Sequence, residues 1–212
     1  MLKILKSFAK RILQSMFRQR EDIKIGFYGP PNAGKTSIAN KICKDWTGEE
    51  LGIVSSIPHE TRHVQFKEKV DIEYKGKKLA FKIIDTPGLA TKIDYEEFVE
   101  RGIKKGQAKK RAKEATQGII ESIQWLEDMD AVVVVLDASE NPYSQVNITI
   151  IGNLVARKIP TIVVANKTDL KKAAVKKVEA AFPDYEVVGI SAKEGTGFDD
   201  FYEALFRLSK KI

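Results

Sequence analysis

The residues with the clearest chemistry in this 212-residue chain form one short run, Gly29-Pro30-Pro31-Asn32-Ala33-Gly34-Lys35-Thr36. The run fits G-x-x-x-x-G-K-[ST], follows an apolar segment that reads as a strand, and opens a segment that reads as a helix. Glycines at its two ends let backbone N–H groups turn inward around phosphate oxygens. The helix that follows offers its positive end to the same anion. The cradle so defined comprises Gly29, Asn32, Ala33, Gly34, Lys35, Thr36 and Ser37. Lys35 is expected to reach the outer phosphates, and the Thr36 hydroxyl is expected to bind Mg²⁺.

Three further polar motifs follow in order: Asp85-Thr86-Pro87-Gly88, Asn166-Lys167-Thr168-Asp169 and Ser191-Ala192-Lys193. Each ends a segment that reads as a strand, and strand ends on the carboxyl edge of an α/β sheet are where ligands bind. Asp85 is placed to hold a water of a Mg²⁺ shell, and the Gly88 N–H to sense a terminal phosphate. The two later motifs lie where a base would be read. An aspartate such as Asp169 accepts both N1–H and N2–H of guanine, whereas adenine offers no such pair of donors, so guanine is the expected base.

Positioning these motifs requires alternating strands and helices. Ile23 to Tyr28 reads as a strand and Ser37 to Asp45 as a helix. His63 to Tyr74 and Lys78 to Ile84 alternate with period two, and Lys75-Gly76-Lys77 joins them as a hairpin. Ala131 to Asp137 and Thr161 to Ala165 are valine-rich apolar runs of the kind covered on both faces in a parallel sheet. Tyr185 to Ile190 is a last strand and Phe198 to Leu208 a last helix. The pattern predicts a doubly wound α/β fold, with a mostly parallel, mixed sheet of six strands and helices on both faces. Asp94 to Gly118 is charged and helix-forming, with acids first and bases after, as suits a helix dipole. Gly102, Gly106 and Gly118 leave one helix or two shorter ones open.

The net charge of +7 is unevenly placed. Residues 1–20 carry six basic residues and no acid, so the remaining chain is nearly neutral. Leu2, Leu5, Ala9, Ile12, Leu13, Met16 and Phe17 recur there at helical spacing, which predicts a basic amphipathic helix of about five turns. Charges interrupt it throughout, unlike a secretory signal. Three readings stand for it: contact with an anionic membrane surface, contact with RNA phosphates, or packing on its own domain or a second chain. The longest apolar run, Ala131 to Leu136, is too short to cross a bilayer. The single cysteine, Cys43, rules out an internal disulfide and a cysteine-built zinc site, so a cytoplasmic protein is expected, with peripheral contact at the inner membrane surface left open. Cys43, Trp46 and Trp125 read as packing residues.

The combined motifs resemble the small GTP-binding domains of the translation-factor-related superclass, closest to the Era and TrmE branch. The resemblance covers Ile23 to roughly Ile212, with residues 90–125 as a long helical insert. It divides the chain into a helix at 1–20 and a GTPase domain at 21–212. Pro58-His59-Glu60-Thr61-Arg62 is similar to the branch's first switch, which implies that Thr61 coordinates Mg²⁺ beside Thr36 and a water-mediated Asp85. The implied activity is GTP hydrolysis to GDP and phosphate, with Lys35, Thr61 and Gly88 in catalytic roles. Leu89 stands where Ras-like proteins carry a water-orienting glutamine, and a leucine side chain cannot hydrogen-bond water. Several relatives use a bound K⁺, with an asparagine matching Asn32 as ligand, which implies slow turnover without K⁺ or a partner. Simple turn formation is the other reading of Asn32. Era proteins carry a C-terminal KH domain; about twenty residues follow Ser191-Ala192-Lys193 here, without a GXXG loop. Expected partners are therefore the guanine nucleotide, RNA or the ribosome or an anionic membrane through residues 1–20 and 101–113, and a nucleotide-dependent second copy. A solvated helical face is the other reading of 101–113. A nucleotide-dependent membrane-recruited scaffold with little hydrolysis is the competing function.

Overall fold

The computed structural model describes residues 23–49, 64–89, 95–100 and 102–212. The helix expected at 1–20 and the first-switch segment with Thr61 lie outside the described residues. In chain order the elements are β1 (Lys24–Tyr28), α1 (Lys35–Thr47), β2 (Gln65–Tyr74), β3 (Lys77–Asp85), α2 (Tyr95–Glu100), α3 (Lys105–Trp125), β4 (Ala131–Asp137), α4 (Gln145–Arg157), β5 (Thr161–Asn166), α5 (Val175–Ala181), β6 (Glu186–Gly189) and α6 (Phe198–Leu208).

Six strands form one sheet in the order β2-β3-β1-β4-β5-β6. Only β2 is antiparallel to its neighbour. It is one of the two edge strands, tied to β3 by a turn in which Lys75 and Gly76 take φ of 50° and 73°. Two successive left-handed residues match the twist of the strands they join, and the glycine adopts that conformation without steric cost. The central strands are apolar on both sides: Val132, Val133, Val134 and Val135 of β4 are all fully buried. This explains why their sequences run on without alternation.

The two faces of the sheet bury separate cores. On one, α1 and α6 pack Ile38, Ile42, Phe201 and Leu205 against Ile25, Phe27 and Val133. Cys43 is buried in this layer, and Trp46 meets Tyr202 edge-on at 5.9 Å between ring centroids. On the other, Ile150 and Leu154 of α4 and Val178 of α5 cover Val132, Val134 and Val163. α3 crosses this face as well. Its buried Ser122 carbonyl accepts a hydrogen bond of 2.9 Å from the Tyr28 hydroxyl, so the end of β1 pins the helix. Trp125 packs against the same core.

The charged stretch resolves into two helices. Gly102, at φ 84°, breaks the chain between α2 and α3. Gly118 does not end α3, which continues to Trp125; it is buried, where a small residue allows close packing. Among the described residues, no helix is long and apolar enough to cross a membrane.

Phe201 lies fully buried in the sheet–α6 layer. Phe201→Ala is expected to cost about 3–5 kcal/mol through lost transfer energy and a residual cavity. Urea unfolding checks this, with a lower midpoint at an unchanged slope.

Candidate functional site

The polar motifs converge on the carboxyl edge of the sheet because β1, β3, β4, β5 and β6 run parallel and end there. The loop after β1 enters α1 through Gly34 at φ 99°, where a Cβ would lie 2.1 Å from the Asn166 side-chain nitrogen. Glycine is therefore required on two counts, a left-handed backbone and a close approach. Asn32 is exposed at the loop tip with φ 57°, a conformation asparagine tolerates better than most residues. Ala33 is buried and Ser37 half-buried.

Lys35 opens α1, and its Nζ donates to the carbonyls of Gly29 at 3.2 Å and Pro30 at 2.9 Å. The amine is thereby curled over the loop. Burial pushes its pKa down to about 8, although the Asp85 carboxylate favours the charged form. An anion held in the loop would lie against this amine.

Thr36 Oγ1 donates to Asp85 Oδ2 at 2.6 Å. Burial raises the Asp85 carboxyl to about 6, against the lowering influence of Thr36 and Lys35. Its second oxygen, Oδ1, is buried without a hydrogen-bond partner among the described residues. A carboxylate oxygen left without a protein donor, beside a threonine hydroxyl, fits a hydrated Mg²⁺, a hard ion that keeps several of its waters. The loop after β3 lies over the phosphate cradle: Leu89 N donates to Gly29 O at 3.0 Å. A Cβ on Gly88 would stand 2.6 Å from Pro31 Cα. The Thr86 hydroxyl, donating to Phe27 O at 2.6 Å, anchors the loop to β1.

At the other end of the site, the Asn166 side chain joins three loops. Its Nδ2 donates to Ala33 O at 2.8 Å, and its Oδ1 accepts from Ala192 N at 3.0 Å. Ser191 Oγ donates to Asp169 Oδ1 at 2.6 Å. That bond lowers the Asp169 pKa, so the exposed carboxylate is held ionised and oriented as an acceptor. Lys193 is exposed beside Glu194.

A phosphate cradle and an oriented acceptor carboxylate, on loops joined through the Asn166 amide, are the parts that a nucleotide site calls for. The family model described as 50S ribosome-binding GTPase matches residues 24–167. The chain belongs to that family. It is similar to the GTPase Der of Sulfurihydrogenibium sp., at 31% identity over 198 residues covering 88% of this chain and 38% of that protein. The Der protein of Marinomonas sp. is 28% identical over 214 residues, covering 96% of this chain and 42% of the relative. Among solved structures, Era from Aquifex aeolicus bound to GDP and aluminium fluoride superposes with a TM-score of 0.67 at 21% identity, over 89% of this chain and 57% of that one. A second Era structure, in complex with MgGDPNP and nucleotides of 16S ribosomal RNA, gives the same TM-score of 0.67 at 20% identity. The chain thus spans well under two thirds of the length of these relatives, and the structural likeness carries the GTPase fold.

Within this family fold, every expected site residue among the described ones lies on the carboxyl edge. One further residue was not singled out from the sequence. Asp137 ends β4 in register with Asn166, and its Oδ2 pairs with Lys167 Nζ at 2.6 Å. Partial burial pushes its pKa up, but hydrogen bonds from Lys167 and Ser139 outweigh this and hold it low. The parallel alignment of Ala131–Asp137 with Thr161–Asn166 was the signal available for it.

The direction of the Asp85 shift has a consequence for stability. A folded carboxyl that binds its proton more readily than the unfolded chain loses stability as pH rises from 3.8 through about 6. Asp85→Asn removes that decline. In nucleotide-free protein its melting temperature is expected to exceed the wild type by roughly 5 °C at pH 7, with the difference shrinking towards pH 4. Thermal unfolding across that range checks it. The same variant should bind Mg²⁺-nucleotide more weakly.

Proposed function

We propose that this domain binds GTP with Mg²⁺, hydrolyses it to GDP and phosphate, and switches conformation with the nucleotide. The observation that carries this reading is the Asn166 amide, which links the phosphate loop to the loops holding Asp169 and Ala192. Lys35 and the backbone N–H groups around Gly34 hold the β- and γ-phosphates and stabilise charge as the bond between them breaks. Thr36, Thr61 and, through water, Asp85 would hold Mg²⁺, which neutralises phosphate charge when bound. Asp169 selects guanine, with Lys167 held by Asp137 and Ala192 held by Asn166 at the edge of the base. The Gly88 N–H meets the γ-phosphate, so its loss on hydrolysis is felt in the segment that leads to α2 and α3.

Water attacks the γ-phosphorus, and the bond to the β–γ bridging oxygen breaks. Leu89 cannot orient that water. Turnover is therefore slow until K⁺ at Asn32 or a partner adds compensating charge. The exposed Lys104, Lys105, Lys109, Lys110 and Lys113 around the start of α3 form a basic face suited to RNA phosphates. The family's description and the Era complex with 16S ribosomal RNA support ribosomal RNA as that partner.

Two measurements test the reading. Asp169→Asn replaces an acceptor pair with one acceptor and one donor, which suits the O2 of xanthine and not the N2–H of guanine. GDP affinity should fall by roughly a hundredfold or more, two buried-type hydrogen bonds being at stake, while xanthosine diphosphate affinity rises. Equal affinities for both in the variant would remove the base assignment. Multiple-turnover phosphate release should be about tenfold faster in K⁺ than in Na⁺ buffer, the scale of a 1.4 kcal/mol change in barrier. Equal rates count against K⁺, and no turnover in either favours a binding module.

A further inference from the structure

Between α3 and α4 the surface opens into an apolar cleft of about 110 Å³, floored by Leu126 and Leu154 and walled by Leu89, Ile119, Ile123 and Val146. For scale, an apolar cavity of about 150 Å³ is large enough to hold benzene, so this cleft has room for an aliphatic or aromatic side chain. Ile123 on its wall remains 43% exposed, and Ile120, on the same helix, 47%.

We infer that the cleft is the seat of residues 1–20 of the same chain, docked as an amphipathic helix. Three observations favour this occupant. The first is where the chain enters the domain. α3 and α4 both end at the amino edge of the sheet, and β1 begins there. Lys24 N donates to Asp130 Oδ2 at 2.8 Å, and Asp130 N returns a bond to Lys24 O at 3.0 Å. Met129 N in turn bonds Leu126 O, so the first residues of β1 stand beside the cleft floor. Only Glu21 and Asp22 separate residue 20 from Ile23.

The second is size and pattern. A helix of 20 residues is about 30 Å long, and the cleft, lined on the α3 side by Ile119, Ile123 and Leu126, would take an apolar side chain from one or two of its turns. Leu5, Ala9, Ile12, Leu13 and Met16 make one apolar stripe of the kind that fills a groove between helices.

The third is charge. The segment carries six basic residues and no acid. Exposed Glu127 and Asp128 follow directly on Leu126, which lines the cleft at the negative end of α3, and Asp128 acts electrostatically on Tyr28, another lining residue. Arg157, at the end of α4, is hydrogen-bonded to Asn153 of its own helix.

Docking here goes beyond the nucleotide reading and does not depend on it. The two are nonetheless neighbours, because Leu89 lines the cleft and hangs from Gly29 of the phosphate loop.

Intramolecular disulfide formation in the full chain tests the proposal. Cys43 is buried and stays silent. Leu5→Cys, Ala9→Cys, Ile12→Cys and Met16→Cys are each combined with Ile123→Cys on the cleft wall. Each is also combined with Ile148→Cys, which is similarly exposed at 46% but lies on the opposite flank of α4. All positions are exposed or outside the described domain body, so folding is expected to survive. Under diamide, at least one N-terminal position should cross-link to residue 123 about tenfold faster than any does to residue 148, because docking raises the local concentration of one pair only. Equal rates at 123 and 148, or no cross-link at 123, would overturn the docking. So would cross-linking at 123 that appears only between two chains. A 123 link that forms and is then abolished by phosphatidylglycerol vesicles supports the seat, with lipid as a competitor. A segment protected only on such vesicles, with no 123 link in their absence, makes it a membrane helix instead.

Discussion

The side-chain amide of Asn166 is the constraint on which the site depends. It uses its donor on the phosphate loop, at Ala33 O, and its acceptor on the loop after β6, at Ala192 N. It is buried, at the carboxyl end of a central strand, where neither bond can be exchanged for water at low cost. Its presence leaves no space for a side chain at Gly34. The loop after β1 and the loops that carry Asp169 and Ala192 are therefore tied to one another through this amide, and the span between them is set by the spacing of β1, β4 and β5 in the sheet.

Within the site the charges are placed at a cost to the empty domain. Lys35 and Asp85 are both buried, and burial moves each pKa towards its neutral form, the amine down and the carboxyl up. Their mutual attraction offsets part of this and not all of it. A phosphate chain beside Lys35 and a cation beside Asp85 would reverse both shifts. Buried charges moved towards their neutral forms in this way are common where a charged ligand binds. Asp137 and Asp169 behave oppositely. Each is held ionised by a neighbour that is part of the fold, Lys167 and Ser191 respectively.

Much of this was legible in the residue order, for identifiable reasons. β4 and α6 begin and end where the valine run and the aromatic periodicity begin and end, because burial on both faces or along one stripe leaves its mark on every residue. The phosphate loop was legible because its chemistry demands fixed spacing. The helices after β3 were ambiguous because glycine has two uses: Gly102 breaks the helix at positive φ, while Gly118 lies buried inside one. Asp137 was overlooked because its role comes from strand register, pairing it with Asn166 across the sheet. The cleft could not be read at all. Its walls come from Leu89, α3 and α4, and periodicity reports the apolar stripe of each helix but not the gap between them.

The central claim is that one edge of the sheet holds a diphosphate at one end and reads guanine at the other. Calorimetric titration of the full chain with GDP and with ADP, each in Mg²⁺, tests it most directly. The account predicts GDP binding at micromolar affinity or tighter and ADP binding weaker by about a hundredfold, near 2.7 kcal/mol. Equal affinities for the two, or no heat from either at millimolar concentration, would contradict it.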